Sequence, residues 1–366
     1  HGDNEVIPGG ALSFLNSLSV KPEDARILGQ NMPSAYNLLP AEKYFEAVDD
    51  PVLVFDENST FTELWRGFWG TAVDSYADLA AFMTGQGITR EKPAVDDLAS
   101  PEVVNAGLIQ KAKVFHEMFD TYVFPAHINV VEVAGWGRPT VKGIKYTTEH
   151  DQLSYEPIFT IEGDKVVVYP SALSSGADSD YFFHLDSYLD TSGKPVTHKD
   201  LLSINSIQKV ISSVVKKEII DNPELVTTSK PNISDTDDQL IVSVHSPVVL
   251  GVHDAAGNFT GIDNATGEVI EDIPGSSVSI FANSEYIFVP KDGDYTFMYK
   301  GTDNGSTTIK IESFVQDVTT PIVTYSDLPT TPKTSAQFQV IGSTPENTEI
   351  QVDKDGDGVA DTHIKD

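Results

Sequence analysis

The sequence predicts an α/β portion, followed by an all-β sandwich and a short acidic tail. Mostly uninterrupted apolar runs at 130–136 and 165–169 are typical of strands that are buried on both faces of a parallel sheet. Helical periodicity precedes these runs at 60–122 and follows them at about 203–219. From residue 239 the pattern changes to short strands separated by turn residues, which indicates an antiparallel sandwich.

Changes in composition place the domain boundaries. The α/β portion covers residues 1–222 and contains a mostly helical insertion, or cap, at about 57–125. Residues 223–238 are rich in Pro, Ser, Thr and Asp, which predicts a linker. The sandwich then covers residues 239–315. The remainder, 316–366, is predicted to hold a Thr/Pro-rich spacer, a strand segment and an Asp-rich loop.

The cap carries an apolar stripe at helical spacing. Its members are Phe61, Leu64, Trp65, Phe68 and Trp69. Such a stripe forms either an apolar wall that binds a ligand or the core of the cap itself. Both interpretations stay open at the level of sequence.

A carboxylate and a histidine mark two further segments. Asp164 follows Gly163 at the start of an apolar run, so we expect a tight turn that places the carboxylate beside a strand. His198 lies in a polar loop just ahead of the last amphipathic helix. An acid followed by a base, in this order, can serve a serine nucleophile. Taken singly, a capping Asp and a loop His are the alternatives.

At these segments the sequence resembles the lecithin:cholesterol acyltransferase-like branch of the α/β-hydrolases, with its bacterial lipase and esterase relatives. The segment 163–172 resembles the ten-residue segment that carries the acid in this family: it keeps that length, Gly163-Asp164 at its start and Ser171-Ala172 at its end. It departs from that pattern at Lys165, Val166 and Val168. Further matches lie at 32–40 and 135–140. The family's later segment that carries the catalytic base, here called the base box, corresponds to 197–202. The resemblance covers roughly residues 25–220.

The resemblance implies the C-terminal part of an α/β-hydrolase sheet, with Asp164 as the triad acid and His198 as the base. No Gly-x-Ser-x-Gly elbow occurs in the sequence. We therefore expect a serine esterase or lipase for apolar acyl esters, whose serine lies on an N-terminal segment or fragment upstream of this chain. The alternative is a non-catalytic, calcium-binding surface, adhesion or substrate-binding protein with a relic hydrolase half.

The Asp-rich loop near the C-terminus predicts a calcium site. Its carboxylates alternate around a glycine turn, at Asp353, Asp355, Asp357 and Asp361. Ca²⁺ accepts several flexible oxygen ligands, and close carboxylates repel one another without a cation. The position where an EF-hand has a bidentate Glu is Ile364, so the loop is not a full EF-hand. A solvated acidic turn is the alternative, and we expect a structural role for the ion.

Composition restricts the partners. The 366 residues include 24 basic and 55 acidic side chains, for a net charge of −31. Nucleic acid and anionic membranes would be repelled by such a surface. The sequence has no cysteine, which excludes disulfides and Cys metal sites, and no apolar run long enough for a transmembrane segment. We expect a secreted or cell-surface bacterial protein, although an acidic surface also serves solubility alone.

Overall fold

The computed structural model describes residues 22–94, 97–173, 175–192, 196, 198–221, 224–234, 237–342 and 344–365. The chain divides into two compact units. The first contains the described residues among 1–136, 140–184 and 197–231. The second contains those among 137–139, 185–196 and 232–366.

Helices dominate the N-terminal half of the first unit. In chain order the helices are α1 (Pro22–Asn31), α2 (Pro33–Tyr36), α3 (Glu42–Ala47), α4 (Glu63–Trp69), α5 (Tyr76–Thr84), α6 (Ala106–Phe119), α7 (Tyr169–Ala172), α8 (Leu185–Ser192) and α9 (Asn205–Lys216), of which α8 belongs to the second unit. Side-chain caps start two of them: Ser75 accepts from the N–H of Asp78, and Asn105 accepts from that of Gly107. Gly85 ends α5 in the left-handed conformation.

The first unit contains two small sheets. One has the order β2-β1-β4-β5, built from β1 (Leu53–Phe55), β2 (Ala72–Val73), β4 (Thr140–Glu149) and β5 (Gln152–Thr160). The other has the order β3-β6-β7, built from β3 (Val131–Trp136), β6 (Ser179–His184) and β7 (Val226–Thr227). Among the described strands of this unit, only β1–β4 and β3–β6 pair in parallel.

Aromatic rings form the core of the first sheet. The indole of Trp65 lies 5.1 Å from the ring of Tyr146 and 5.4 Å from that of Phe82, measured between centroids. Phe55 packs against the same indole at 5.6 Å. Trp65 is therefore buried in a core that the cap shares with β1 and β4, and it is not part of an exposed apolar wall.

The predicted α/β class, with part of an α/β-hydrolase sheet, is wrong. The structure has 37% strand and 25% helix, in several separate sheets, with no clear α/β-hydrolase arrangement. The run 165–169 forms no strand, because its amides bond locally. The carboxylate of Asp164 accepts from the N–H groups of Val166 and Val167. Gly163 and Val168 form an isolated antiparallel β-bridge. The run therefore cannot extend the sheet that β3 and β6 begin.

The second unit is an antiparallel sandwich, as predicted. Its strands are β8 (Gln239–His245), β9 (Val248–Asp254), β10 (Phe259–Ile262), β11 (Val269–Glu271), β12 (Ser277–Phe281), β13 (Ser284–Pro290), β14 (Asp294–Gly301), β15 (Gly305–Val315), β16 (Val318–Thr330), β17 (Ser335–Ile341), β18 (Ile350–Asp353) and β19 (Thr362–Ile364). Seven pair in the order β11-β10-β9-β14-β17-β18-β19, and five in the order β12-β13-β8-β15-β16. Both sheets contribute to one apolar core, in which the rings of Phe297 and Phe338 stack at 5.5 Å.

The sandwich is larger than predicted. The predicted spacer at 316–335 contains β16, whose Val323, Tyr325 and Leu328 are buried in the core. Pro321 and Pro329 are compatible with this strand because β16 lies at the edge of its sheet. The predicted linker also contributes structure, since β7 pairs with β6 in the first unit.

A buried ion pair lies in the second unit. The segment 137–139 belongs to this unit, and Nη2 of Arg138 lies 2.7 Å from Oε2 of Glu271. Both side chains are only 3% exposed. The other carboxylate oxygen of Glu271 accepts from the N–H of Val278 at 2.6 Å, and Arg138 donates to the carbonyl of Ser276. The pair therefore joins the chain before β4 to the β11–β12 connection.

Every helix in the described ranges is too short or too polar to span a membrane.

Candidate functional site

The loop 161–168 holds Asp164 in place. It leaves the end of β5 beside Thr140, the first residue of β4. A side chain on Gly163 would bring a Cβ within 2.5 Å of Oγ1 of Thr140, so only glycine fits there. Lys165 adopts a left-handed conformation with φ of 79°, and its N–H donates to the same oxygen at 2.9 Å. The turn thus requires the glycine that precedes Asp164.

The carboxylate of Asp164 is buried and oriented. Its side chain is 5% exposed. Oδ1 accepts from the N–H of Val167 at 2.8 Å and from that of Val166 at 3.1 Å. These two backbone donors fix the carboxylate plane and leave Oδ2 for another partner.

His198 supplies that partner. It begins a 3₁₀ turn, His198–Ser203, which leads into α9. Its Nδ1 lies 2.7 Å from Oδ2 of Asp164, across 34 residues of sequence. The structure thus brings the two sequence-predicted catalytic candidates into direct contact. Thr197, the first residue of the predicted base box, lies outside the described residues, as do residues 1–21 of the predicted hydrolase portion.

The contact determines the tautomer of the imidazole. An ionised carboxylate only accepts hydrogen bonds, so Nδ1 must carry the proton that it donates to Asp164. Nε2 is then the basic nitrogen of the neutral ring. The His198 side chain is 48% exposed, and no described residue makes a hydrogen bond to Nε2. This arrangement can accept a proton from a group that approaches from solvent.

The same contact raises the pKa of His198 above its ordinary value of 6.5. The hydrogen bond to Asp164 is the largest cause, and the charge of the carboxylate adds to it. Partial burial of the imidazole opposes the shift by lowering the pKa. The pair therefore stabilises the imidazolium that forms when Nε2 takes up a proton.

Aromatic side chains support the loop that carries Asp164. The N–H of Tyr169 donates to the carbonyl of Glu162, and the ring of Tyr169 lies 5.6 Å from that of Trp136. Nζ of Lys230 lies 2.5 Å from Oε1 of Glu162 and 5.1 Å from the centroid of the Tyr169 ring. The sequence did not single out Lys230 or Glu162, since neither belongs to a recognisable motif.

The acidic loop in the second unit brings three of its four predicted carboxylates together. Oxygen atoms of Asp353, Asp355 and Asp361 lie within 4.8 Å of one another, so this cluster could hold a metal ion. Asp357 is not part of the cluster; its Oδ1 accepts from the N–H of Val359 at 2.8 Å.

Backbone donors stabilise the charge of this cluster. Asp353 accepts from the N–H groups of Gly356 and Gly358, and these bonds lower the pKa of its carboxyl group. Asp361 accepts from the N–H of Lys354 at 2.8 Å. The ionised form of Asp353 is therefore favoured, and its carboxylate lies close to those of Asp355 and Asp361, an all-oxygen arrangement that suits a hard cation.

No protein-family model, no curated protein and no solved structure matches this chain.

Proposed function

We propose that the chain contains the acid–base half of a serine carboxylic-ester hydrolase. The observation that carries this proposal is the 2.7 Å contact between a buried, backbone-oriented Asp164 and a half-exposed His198. A buried acid that fixes the tautomer of an accessible imidazole is the arrangement that general-base catalysis needs. The serine belongs, in this proposal, to a segment N-terminal to residue 1 in the full-length protein.

Each partner has a defined role in the proposed reaction. Nε2 of His198 takes the proton of the serine hydroxyl while the serine oxygen attacks the ester carbonyl. The resulting imidazolium is stabilised by Asp164 and gives its proton to the departing alkoxide, which leaves an acyl-enzyme. Water then transfers a proton to Nε2 of His198 while its oxygen attacks the acyl carbonyl. The imidazolium returns this proton to the departing serine oxygen, which releases the carboxylic acid and restores the serine and the neutral imidazole.

The proposed substrates are esters with apolar acyl groups. The cap exposes large apolar side chains on and before α4: Leu64 is 74% exposed, Phe68 56% and Phe61 44%. Such side chains can contact an apolar substrate that a fully polar surface would not bind. In this proposal the protein is secreted or displayed at a bacterial cell surface, a setting that its acidic composition fits.

Active-site labelling tests the proposal. The full-length protein is treated with a fluorophosphonate, and the modified residue is identified by peptide mass spectrometry. We expect a single labelled serine upstream of this sequence, and we expect His198→Ala to remove the labelling while the protein stays folded. Failure to label the folded full-length protein would contradict the proposal and favour a non-catalytic binding protein.

We further propose that the acidic cluster binds Ca²⁺ in a structural role. Support comes from the purely oxygen donor set of Asp353, Asp355 and Asp361 and from the glycine turn, in which Gly356 has a φ of 81°. The bound ion would neutralise carboxylates that otherwise repel one another, and it would fix the connection between β18 and β19.

Calcium is therefore expected to raise the melting temperature of the protein, and chelation by EDTA to reverse the increase. Asp361→Asn keeps an oxygen that can accept from Lys354 but removes a charge, so most of this increase should be lost. Asp357→Asn is the matched control in the same loop and should retain the increase. Differential scanning calorimetry with and without calcium measures both. An equal loss in the two variants would mean that the cluster does not define the site.

A further inference from the structure

We propose that the outer face of the seven-stranded sheet binds a neutral oligosaccharide. The face contains a groove of about 350 Å³, which we call the sheet groove. Its side walls and floor include Phe259, Met298, Lys300, Gln337 and Gln351. This volume lies within the range of about 300–1,000 Å³ that small-ligand sites occupy.

The strand register shows that the floor of the sheet groove is a continuous row. Met298 lies opposite Gly251 on one side and opposite Gln337 on the other. Gln337 in turn lies opposite Gln351. Directly opposed residues share one face of a sheet, so the row crosses four strands at intervals of about 4.8 Å. An extended ligand can therefore lie across the strands and meet one side chain after another.

The polar groups of the sheet groove are available to a ligand. Gln337, Gln351 and Lys300 are exposed, and none of these side chains makes a hydrogen bond to another described residue. Each glutamine amide offers both donors and an acceptor. Sugar hydroxyl groups are likewise donors and acceptors at once, so neighbouring amides can bind neighbouring hydroxyls.

An aromatic ring forms one side of the sheet groove. The ring of Phe259 covers Gly251, where an added Cβ would lie 2.6 Å from Cε2. It also reaches Gly261, whose added Cβ would lie 3.2 Å from Cζ. Two glycines thus let the ring settle on the backbone of β9 and β10 while it remains partly exposed. The negative face of such a ring attracts the weakly positive C–H groups of a sugar.

The negative charge of the protein excludes polyanions, the main competing class of ligand. The lining of the sheet groove contains one cation, Lys300, and one anion, Asp353. The whole chain carries a net charge of −31. A polyanion would therefore be repelled, whereas a neutral chain of hydroxyl groups meets no electrostatic penalty.

Affinity electrophoresis of the full-length protein tests this proposal. Native gels containing calcium are cast with amylopectin, hydroxyethylcellulose, xylan or galactomannan, and polygalacturonate serves as the anionic probe. We expect retardation in at least one neutral polysaccharide and none in polygalacturonate. The double variant Gln337→Ala/Gln351→Ala should raise the dissociation constant about 10-fold, because two hydrogen-bonding amides are lost.

Gln339→Ala is the matched control, because Gln339 is an exposed glutamine on the same strand and face but outside the lining. It should bind as the unmodified protein does. Three results would overturn the proposal: no retardation by any of the four neutral polysaccharides, retardation that the double variant leaves unchanged, or preferential binding of polygalacturonate. Thermal melting of each variant verifies that the sandwich remains folded.

Discussion

Replacement of His198 by alanine in the full-length protein is expected to abolish ester hydrolysis. Replacement of Asp164 by asparagine should lower kcat by about 10³–10⁴-fold. Asparagine keeps an oxygen for the N–H groups of Val166 and Val167, so the turn survives. Its amide, however, would present a donor to Nδ1 and favour the tautomer whose proton is on Nε2. Hydrolysis of p-nitrophenyl esters, measured as kcat and KM separately, provides the readout.

The matched control is His127→Ala, which removes an exposed histidine of the same unit. We expect unchanged kcat for this variant, since His127 makes no side-chain hydrogen bond to another described residue. Turnover retained by His198→Ala would show that the Asp164–His198 contact is only structural. Equal losses in all three variants would point to a folding defect instead.

The pH dependence of kcat/KM distinguishes two roles for Asp164: orienting the imidazole of His198, or only supporting the loop. Only neutral His198 can act as a base, so kcat/KM should rise with pH through the pKa of the imidazole. That pKa lies above 6.5 because the hydrogen bond to Asp164 favours the protonated form. In Asp164→Asn the negative charge is absent, and the midpoint of the rise should move to lower pH even as its plateau falls. An unmoved midpoint would contradict the assigned role of Asp164.

The contribution of this pair to folding stability changes with pH in the opposite direction to its expected activity. Because folding raises the pKa of His198, the protonated contact favours the folded state below the unfolded pKa of about 6.5. This contribution is lost as the pH rises through the folded pKa. In the proposed reaction the imidazole is therefore most active as a base at pH values where its contact with Asp164 contributes least to stability.

The candidate site was more predictable from sequence than the fold around it. Gly163 and Asp164 are a local signal, since a tight turn needs the glycine and the turn amides need the carboxylate. The run that follows has the composition of a strand, but its amides bond to Asp164 and Gly163 instead. Composition reports which side chains can be buried; it does not report which partner takes each backbone N–H group.

The same limit explains the corrections in the second unit. Strands β8, β9, β13 and β14 are short apolar runs bounded by turn residues, so the sequence predicts them. Strand β16 was missed because threonine and proline, which an edge position tolerates, interrupt its apolar pattern. Asp357 occupies a regular place in the acidic pattern, yet its carboxylate turns to the N–H of Val359. Lys230 and Glu162 meet 68 residues apart only in the folded chain, so no local pattern could reveal them.

The second large effect is expected at the buried ion pair. Arg138→Met should destabilise the second unit by about 3–5 kcal/mol, because it leaves the carboxylate of Glu271 buried without its cation. The N–H of Val278 and the hydroxyl of Ser277, which also donate to Glu271, are neutral groups and do not replace the positive charge of Arg138. Hydrogen exchange of the amides in β10–β12 and denaturant unfolding of the full chain measure the loss.

A double variant distinguishes the destabilisation caused by an unpaired buried charge from the net contribution of the ion pair to the free energy of unfolding. Arg138→Met/Glu271→Leu should recover much of the lost stability, because replacing both members of a buried ion pair by apolar side chains is often nearly neutral. Lys365→Met is the matched control, since Lys365 pairs with Glu349 at the surface and is 71% exposed. It should cost less than about 1 kcal/mol. A similarly small cost for Arg138→Met would mean that water reaches Glu271 and that the pair is not buried in solution.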